Sequence, residues 1–396
     1  MYDLLKGLTV VEGAAFIAGP TCGLYLAQLG AEVIRFDQIG GGPDFRRWPL
    51  SEGGDSFYWE GLNKAKKSVA IDLSRPEGRV LAQRLAASSG LFVTNYPVEG
   101  FLSYERLKAL REDLISIRVM GWADGKPGVD YTINASVGLP FMTGPEDAAG
   151  PVNHVLPAWD LLTGALAAFS LLAAERARQA DGQGREVRLA LSDVAITSLS
   201  HLGQIAEVLA AGADRPRLGN SLFGGFGRDF ETRDGQRVMI VALTRRQWSG
   251  LIAALGLAEA VAAIEAELGV AFGDDEGARF RARERLYPLF ERAFAERLLA
   301  DIAPAFDAAG VTWSFYQPLT TAIDDPRFAD ALAEVHHPSG ARYPTAGFGG
   351  AFAGEARPTP VPAPKLGRDT DEVLSHLLGL SDAEIGALRD AGLVAG

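Results

Sequence analysis

One acidic residue of the chain stands in a setting that suits chemistry: Asp160, just before a long Ala- and Leu-rich run. Pro157 precedes this run, and the basic residues Arg176 and Arg178 close it, an order typical of the start and end of a helix. The pattern predicts a helix with Asp160 at its N-cap, where Asp is a preferred residue. The residues alone leave two interpretations open, a structural helix cap and a catalytic carboxylate.

A second group of polar residues brackets a predicted strand and is rich in positive charge. It comprises Lys64, Lys66, Lys67 and Arg75. Such a group is usually a solvated surface, but in an acidic protein it also suits phosphate binding. The histidines show no spacing typical of a metal site, so we expect no metal.

The composition describes a soluble globular protein and limits its partners. The chain has 396 residues, enough for two domains, and 47% of them are hydrophobic. Lys and Arg number 38 against 50 Asp and Glu, and the formal net charge of −12 argues against nucleic-acid and membrane partners. The single cysteine allows no disulfide within the chain, and the N-terminus lacks a signal-peptide pattern. We therefore expect a cytoplasmic protein.

Strand and helix patterns alternate along the first 200 residues. Short apolar runs predict strands at 8–12, 32–37, 68–73, 91–95, 114–120 and 185–191. This alternation predicts an α/β fold with a parallel sheet, whose ligands bind at the carboxyl ends of the strands. The glycines Gly13, Gly19 and Gly23 lack the spacing of a dinucleotide-binding loop. Beyond residue 211, a glycine-rich stretch and a hairpin turning at Asp234-Gly235 indicate a second domain.

Several stretches, in order along nearly the whole chain, resemble the class III CoA-transferases. They are Leu5–Gly13, Ala18–Pro20, Leu29–Ile34, Asn63-Lys64, Lys67–Leu73, Asn95-Tyr96, Asp160 with its Ala-rich helix, Gly182–Val187 and Pro364–Leu374. The resemblance implies a Rossmann-like large domain with a parallel sheet at 1–200 and a smaller α+β domain at 220–325. It also implies a C-terminal return to the large domain at 345–396 and a homodimer of interlocked subunits.

The resemblance assigns roles to residues at matching positions. It implies that Asp160 is a nucleophile that attacks an acyl-CoA thioester, kept ionised by the helix start. The oxyanion donors it implies are the backbone amides of Gly224, Gly225 and Gly227. The CoA contacts it implies are Phe16, Ile17, Ala18, Ile71, Leu73, Arg75, Asn95 and Tyr96. No cofactor beyond the CoA of the substrate is implied. The family's racemases carry a catalytic histidine where this chain has Val129, so we do not expect racemisation.

A closer likeness within the family lies in the stretches 39–49, 138–145, 152–160 and 226–232. It implies an isomerase that moves CoA from one carboxyl group of mesaconate to the other, a step of the 3-hydroxypropionate route of carbon fixation. The idle carboxylate then needs a cation, and the methyl group needs an apolar wall. The candidates are Arg46, Arg47 and His154 for the carboxylate, and Phe16, Ile17, Phe141 and Phe226 for the methyl group.

Two alternatives stay open at this point. The first is an ordinary transferase that moves CoA between two dicarboxylic acids, because one aspartate nucleophile serves both reactions. The second is a non-catalytic or nucleotide-binding α/β protein in which Asp160 is only a helix cap.

Overall fold

The computed structural model describes residues 1–396, and it contains twelve strands and seventeen α-helices. The strands, in chain order, are β1 (Thr9–Gly13), β2 (Glu32–Gln38), β3 (Lys67–Ile71), β4 (Leu91–Thr94), β5 (Ile115–Met120), β6 (Arg185–Ala190), β7 (Phe226–Glu231), β8 (Arg237–Ala242), β9 (Thr312–Phe315), β10 (Leu332–His336), β11 (Arg342–Ala346) and β12 (Val394–Ala395). The six strands predicted in the first 200 residues are all present, with ends within two residues of those expected.

The helices begin and end as follows, with one 3-10 helix at Pro326–Ala331. They are α1 (Ala18–Gln28), α2 (Phe57–Leu62), α3 (Pro76–Ser88), α4 (Tyr104–Lys108), α5 (Asp130–Ser136), α6 (Leu139–Met142), α7 (Ala158–Asp181), α8 (Leu191–His201), α9 (Gln204–Ala211), α10 (Arg245–Leu255), α11 (Ala258–Leu268), α12 (Glu276–Arg281), α13 (Arg283–Ala295), α14 (Leu299–Ala309), α15 (Leu319–Ala322), α16 (Thr370–Leu378) and α17 (Asp382–Asp390).

Seven strands form one sheet in the order β12-β3-β2-β1-β4-β5-β6. All neighbouring pairs are parallel except β12 with β3, which confirms the predicted α/β fold with a large parallel sheet. Strand β1 is central, and Val11 lies opposite Ile34 on one side and Phe92 on the other. The chain order reverses between β1 and β4, a point at which parallel sheets open a crevice for ligands.

The two faces of this sheet are covered by different helices, because successive strand residues point to opposite faces. Val10 packs in a core with residues of α1 and α7, whereas Val11 packs in a core with residues of α3 and α16. Helix α7 comes close to α1 at Gly164, where an added Cβ would lie 2.6 Å from the Cβ of Thr21. This glycine therefore permits the close approach that fixes the start of α7 over α1.

The chain divides into two compact units, and the first contains the large sheet. It consists of residues 1–137, 154–210 and 324–396, and the second unit consists of residues 138–153 and 211–323. The second unit holds the antiparallel sheet β7-β8-β9, and the hairpin predicted at Asp234-Gly235 joins β7 to β8. Its core is rich in aromatic rings, among them Phe226, Trp248 and Phe290.

These units differ from the expected domains, 1–200, 220–325 and 345–396, in two places. Residues 138–153 group with the second unit because Arg217 donates hydrogen bonds to the carbonyls of Pro140, Ala148 and Gly150. Residues 324–344 group with the first unit, where the Tyr343 hydroxyl donates to Glu60 at 2.9 Å. Both segments are assigned by contacts between residues far apart in the sequence, which local patterns do not contain.

Candidate active site

A cleft of about 700 Å³ opens at the carboxyl ends of β1, β4, β5 and β6, within the first unit. Its position is the one that the sheet order predicts for a ligand. Six of the residues singled out from the sequence line it together: Phe16, Ile17, Ala18, Asn95, Tyr96 and Asp160. The structure therefore brings the expected nucleophile and five of the eight expected CoA contacts to one cleft.

The turn after β1 gives this cleft a fixed wall. Asn95 holds the turn from the neighbouring strand end: its Oδ1 accepts from the Ala15 amide at 3.1 Å, and its Nδ2 donates to the Ala15 carbonyl at 2.9 Å. Phe16 has a positive φ of 68°, a strained conformation for a bulky residue. Its amide donates to Asp44 at 3.2 Å, and its ring remains exposed toward the cleft.

A buried network of charged side chains connects to this turn through Asp44. Arg35 donates to both Asp37 and Asp44, at 2.8 and 3.0 Å. The ammonium group of Lys66 lies 2.9 Å from the carboxylate of Glu12, and all of these side chains are buried. Each buried charge has a partner, as folding requires. The network therefore fixes Asp44, which in turn holds the backbone of Phe16.

The basic group predicted as a surface or a phosphate site is divided: Lys64 and Lys66 are buried, whereas Lys67 and Arg75 are partly exposed. Lys64 is buried and donates to Thr345 and to the carbonyl of Ala346. Lys66 is committed to Glu12, and Lys67 pairs with Glu32 and Glu372. These ammonium groups are satisfied within the protein, so they are not available for a ligand.

Asp160 lies inside helix α7 and not at its N-cap. The helix begins at Ala158 with Pro157 as the cap residue, and Pro157 has no side chain that can accept from the first amides. Asp130 supplies that acceptor: its Oδ2 accepts from the amides of Trp159 at 2.7 Å and Asp160 at 3.1 Å. The prediction that Asp160 is the N-cap is therefore wrong, and its carboxyl group does not cap the helix.

The surroundings of Asp160 raise the pKa of its carboxyl to about 7, the reverse of the expectation that the helix start keeps it ionised. Burial is the larger cause because it disfavours the charged form, and the negative charge of Asp130 adds to it. The positive charge of Arg47 lowers the pKa of Asp160 and so opposes these two effects. A carboxyl perturbed in this way, in a cleft, is typical of a functional site.

Of the three candidates for the idle carboxylate, Arg47 has the most suitable surroundings. Its guanidinium lies 5.1 Å from the ring centre of Tyr58 and 5.8 Å from that of Phe16, and it forms no ion pair. Arg46 is exposed. His154 is already engaged, because its Nε2 lies 2.5 Å from the Oδ1 of Asp130. A histidine nitrogen that is already bonded to one carboxylate is a poor anchor for a second one, so the structure argues against His154 in this role.

Three expected CoA contacts do not line the cleft. Ile71 is fully buried in the core at the end of β3. Leu73 packs at the edge of the same core, and its amide donates to Gln38. Arg75 is exposed and donates to the carbonyl of Ala391. Their sequence pattern matched the family, but the structure gives Ile71 a packing role.

The remaining candidates belong to the second unit. Gly224 and Gly225 lie in the turn before β7, whereas Gly227 lies within β7 and pairs with Val241. Phe141 is exposed on α6. Phe226 is fully buried, and its ring centre lies 4.7 Å from that of Phe290. Phe226 therefore fills a core, which contradicts its expected role as a wall of the substrate pocket.

Three functional candidates had not been singled out from the sequence. Lys126 and Arg188 line the cleft from the turn after β5 and from β6, and each is paired with an acidic neighbour, Asp124 or Glu186. Tyr58 has a buried hydroxyl with no hydrogen-bond partner, and burial raises its pKa. The predicted carboxyl ends of the strands pointed to the first two, whereas only folding brings Tyr58 near Asp160.

The chain belongs to CoA-transferase family III, whose model matches residues 5–370. It is 49% identical to 2-methylfumaryl-CoA isomerase of Chloroflexus aurantiacus, over 100% of this chain and 99% of that protein. It is 27% identical to succinyl-CoA:glutarate CoA-transferase of Homo sapiens, over 98% of this chain and 90% of that protein. A crystal structure of a CAIB/BAIF family protein from Brucella suis superposes with a TM-score of 0.77, at 25% identity over 95% of this chain and 100% of that one. The family resemblance is therefore confirmed.

Proposed function

We propose that this enzyme moves CoA within one molecule, converting 2-methylfumaryl-CoA (mesaconyl-C1-CoA) to 3-methylfumaryl-CoA (mesaconyl-C4-CoA). The observation that carries the proposal is a perturbed carboxyl, Asp160, in a cleft at the carboxyl ends of the sheet. The identity of 49% with an isomerase of this name, over the full length of both proteins, supports the substrate. Together they favour a catalytic role over a helix cap.

The proposed reaction begins with attack by the ionised Asp160 carboxylate on the C1 carbonyl of the thioester. The C–S bond breaks, giving a mixed anhydride and CoA thiolate. The thiolate attacks the aspartyl carbonyl of the anhydride, and the free dicarboxylate leaves as aspartyl-CoA forms. No metal or further cofactor takes part in the proposed steps.

The second half repeats these steps at the other end of the acid. The C4 carboxylate attacks aspartyl-CoA and expels the thiolate, which then attacks the C4 carbonyl of the new anhydride. Asp160 leaves as a carboxylate, so the enzyme is regenerated. Backbone amides are suited to stabilise the tetrahedral oxyanions, and the turn at Gly224-Gly225 supplies the candidate donors.

Retention of the free acid between the two halves distinguishes this isomerisation from ordinary transfer. An enclosed acid reacts as an internal group at a high effective concentration. We propose Arg47 as the cation that holds the idle carboxylate, with Phe16 and Ile17 as the apolar wall for the methyl group. Phe16 and Ile17 line the cleft with Asp160, and the Arg47 guanidinium lies beside the Phe16 ring.

The long CoA moiety is proposed to follow the same cleft. Ala18, Asn95 and Tyr96 contribute to its lining. Lys126 and Arg188 are the candidate partners for the CoA phosphates. The ion pair of Lys126 with Asp124 is exposed, so it exchanges partners at little cost. The guanidinium of Arg188 is half exposed, and its partner Glu186 is also bound by Arg118, so Glu186 stays paired if Arg188 turns to a phosphate.

We further propose that the enzyme is a cytoplasmic homodimer. Helix α7 is long and apolar enough to cross a membrane, with a mean hydropathy of 1.3 over its most apolar 18 residues. Its exposed face carries Leu162, Leu166 and Phe169, and α9 exposes Leu209. We interpret these apolar side chains as a surface covered by a second copy of the chain, as the interlocked subunits of the family imply. Light scattering on the purified protein tests this stoichiometry.

An ordinary transfer between two dicarboxylic acids is the second candidate. It is favoured by relatives such as succinyl-CoA:glutarate CoA-transferase of Homo sapiens, at 27% identity. The two candidates differ only in whether the acid leaves the site between the half-reactions.

One experiment separates them. The enzyme is incubated with mesaconyl-C1-CoA and ¹³C-labelled free mesaconate, and the products are resolved by chromatography and mass spectrometry. Unlabelled C4 thioester supports isomerisation, labelled product supports ordinary transfer, and absence of product removes mesaconate as the substrate.

The role of Asp160 is tested by Asp160→Ala, with Asp181→Ala at the far, exposed end of α7 as the matched control. We expect loss of activity only in the first variant, with its fold and oligomeric state unchanged. Full activity in Asp160→Ala would refute the mechanism.

A further inference from the structure

Asp130, at the start of α5, makes three polar contacts that the proposed reaction does not use. Its carboxylate is 1% exposed. One oxygen accepts from the amides of Trp159 and Asp160, at 2.7 and 3.1 Å, and the other lies 2.5 Å from the Nε2 of His154. An ionised carboxylate only accepts, so the histidine nitrogen donates in this bond. Asp130 therefore joins the backbone of the nucleophile to a histidine.

These contacts fix the position of the nucleophile. The cap residue of α7, Pro157, has no side chain to accept from the first amides, so the helix start depends on an acceptor from elsewhere in the chain. Asp130 provides it 30 residues before Asp160, through two charge-assisted hydrogen bonds. The backbone of Asp160 is thereby held by a rigid buried group.

The same arrangement has an electrostatic cost that His154 can offset. A negative charge next to a buried carboxyl opposes its ionisation, and Asp130 contributes to the raised pKa of Asp160. The Nε2–H of His154 points at the Asp130 carboxylate and so places positive charge beside it. Burial leaves little solvent to screen the interaction, so the balance matters more here than at the surface.

We propose that Asp130 and His154 act as a pair of positioning residues: Asp130 holds the start of α7, and a protonated His154 neutralises Asp130 so that Asp160 can react as a carboxylate. The inference rests on Asp160 being the nucleophile of the proposed reaction. It assigns His154 to the support of the nucleophile and not to substrate binding.

Several other charged or titratable groups lie near Asp160 and Tyr58 and also contribute to the electrostatic potential there. From the loop after β2 they are Asp44 and Arg47, from α2 Tyr58, and from α5 Tyr131. None of them is changed in the test below, so their contributions are the same in every variant that is compared.

The test measures kcat/KM for mesaconyl-C1-CoA from about pH 5.5 to 9, since its acid limb reports ionisation in the free enzyme. His154→Gln keeps a neutral donor toward Asp130 but removes the positive charge, so we expect the acid limb to move up by about one pH unit. Asp130→Asn keeps an acceptor for the two amides but removes the negative charge, so the limb should move down by about one unit.

The double variant identifies the route of the effect. In Asp130→Asn the positive charge of His154 is no longer balanced, so adding His154→Gln should move the acid limb back up by about one unit, close to its wild-type position. A limb that stays where Asp130→Asn alone places it would contradict neutralisation of Asp130 by His154. His201→Gln, at the exposed end of α8, is the matched control and should leave the profile unchanged.

A merely structural role predicts a different result. It would lower the melting temperature of both single variants and leave the acid limb of the folded enzyme in place, and this outcome overturns the proposal. If Asp130→Asn does not fold, the acid limb of His154→Gln alone decides: an upward shift supports the proposal, and no shift overturns it. If the acid limbs of the variants do not move but activity still requires Asp160, only this inference is refuted. An active Asp160→Ala variant refutes the proposed mechanism itself.

Discussion

Replacing Arg47 by Gln tests how the enzyme retains the free acid. The guanidinium lies over Tyr58 and beside Phe16, and it makes no ion pair within the chain. Its charge is therefore available for a carboxylate in the cleft. A hydrogen bond to a charged group contributes about 1.5–3 kcal/mol, so its loss should speed escape of the acid by about 10- to 150-fold.

Two effects of Arg47→Gln must be separated in the assay. The positive charge also lowers the pKa of Asp160, so the variant should be less ionised than the wild type near neutral pH. Measurements at about pH 9 remove this difference, because a carboxyl with a pKa of about 7 is then ionised. Under these conditions the label from ¹³C-mesaconate should enter the C4 thioester in the variant but not in the wild type.

Arg46→Gln is the matched control, since Arg46 is the neighbour of Arg47, is likewise exposed and has the same charge. It should leave both the rate and the absence of label unchanged. Unlabelled product and an unchanged KM in Arg47→Gln would refute the assignment of Arg47. Label in both variants would point to a diffuse positive field and not to one anchoring residue.

For the wild-type enzyme, the Asp160 pKa of about 7 predicts that kcat/KM falls about tenfold per pH unit below that value and levels off above it. A profile that stays flat down to about pH 5 in folded enzyme would contradict the structural basis for this pKa. Phe226→Ala should lower the free energy of unfolding by about 3–5 kcal/mol, because it empties a packed aromatic core. Denaturant titration measures this loss of stability. If the stability of Phe226→Ala is unchanged but its preference among acid substrates is altered, Phe226 is a wall of the substrate pocket after all.

The sequence predicted those parts of the fold that depend on local patterns. Strands such as β1 and β4 are short apolar runs, and their order defined a parallel sheet with ligands at one edge. The family resemblance assigned Phe16 and Asn95, which follow these strands, to CoA binding, and both line the cleft. Local pattern and final structure agree here because each strand is buried on both faces.

The predictions that were wrong concern residues whose contacts are made with residues distant in the chain. Lys66 resembled a surface residue because its partner, Glu12, lies 54 positions away. Asp160 resembled an N-cap because Asp130, which provides the actual cap, lies 30 residues before it and outside the local sequence at the start of α7. Phe226 lies among glycines, which favoured a loop, yet Phe226 and Phe230 are four residues apart and so share one face of a strand. That spacing was the available signal for the core.

The distribution of charge in the first unit explains how an acidic protein can bind a polyanionic substrate. The formal net charge of −12 is spread over the whole chain, and charges more than about 8 Å apart are largely screened at physiological ionic strength. The cations that we propose for this binding are Lys126 and Arg188 in the cleft lining and Arg47 near the nucleophile. Net charge argues against nucleic acid as a partner class, which stays a prediction, whereas local charge governs a ligand the size of CoA.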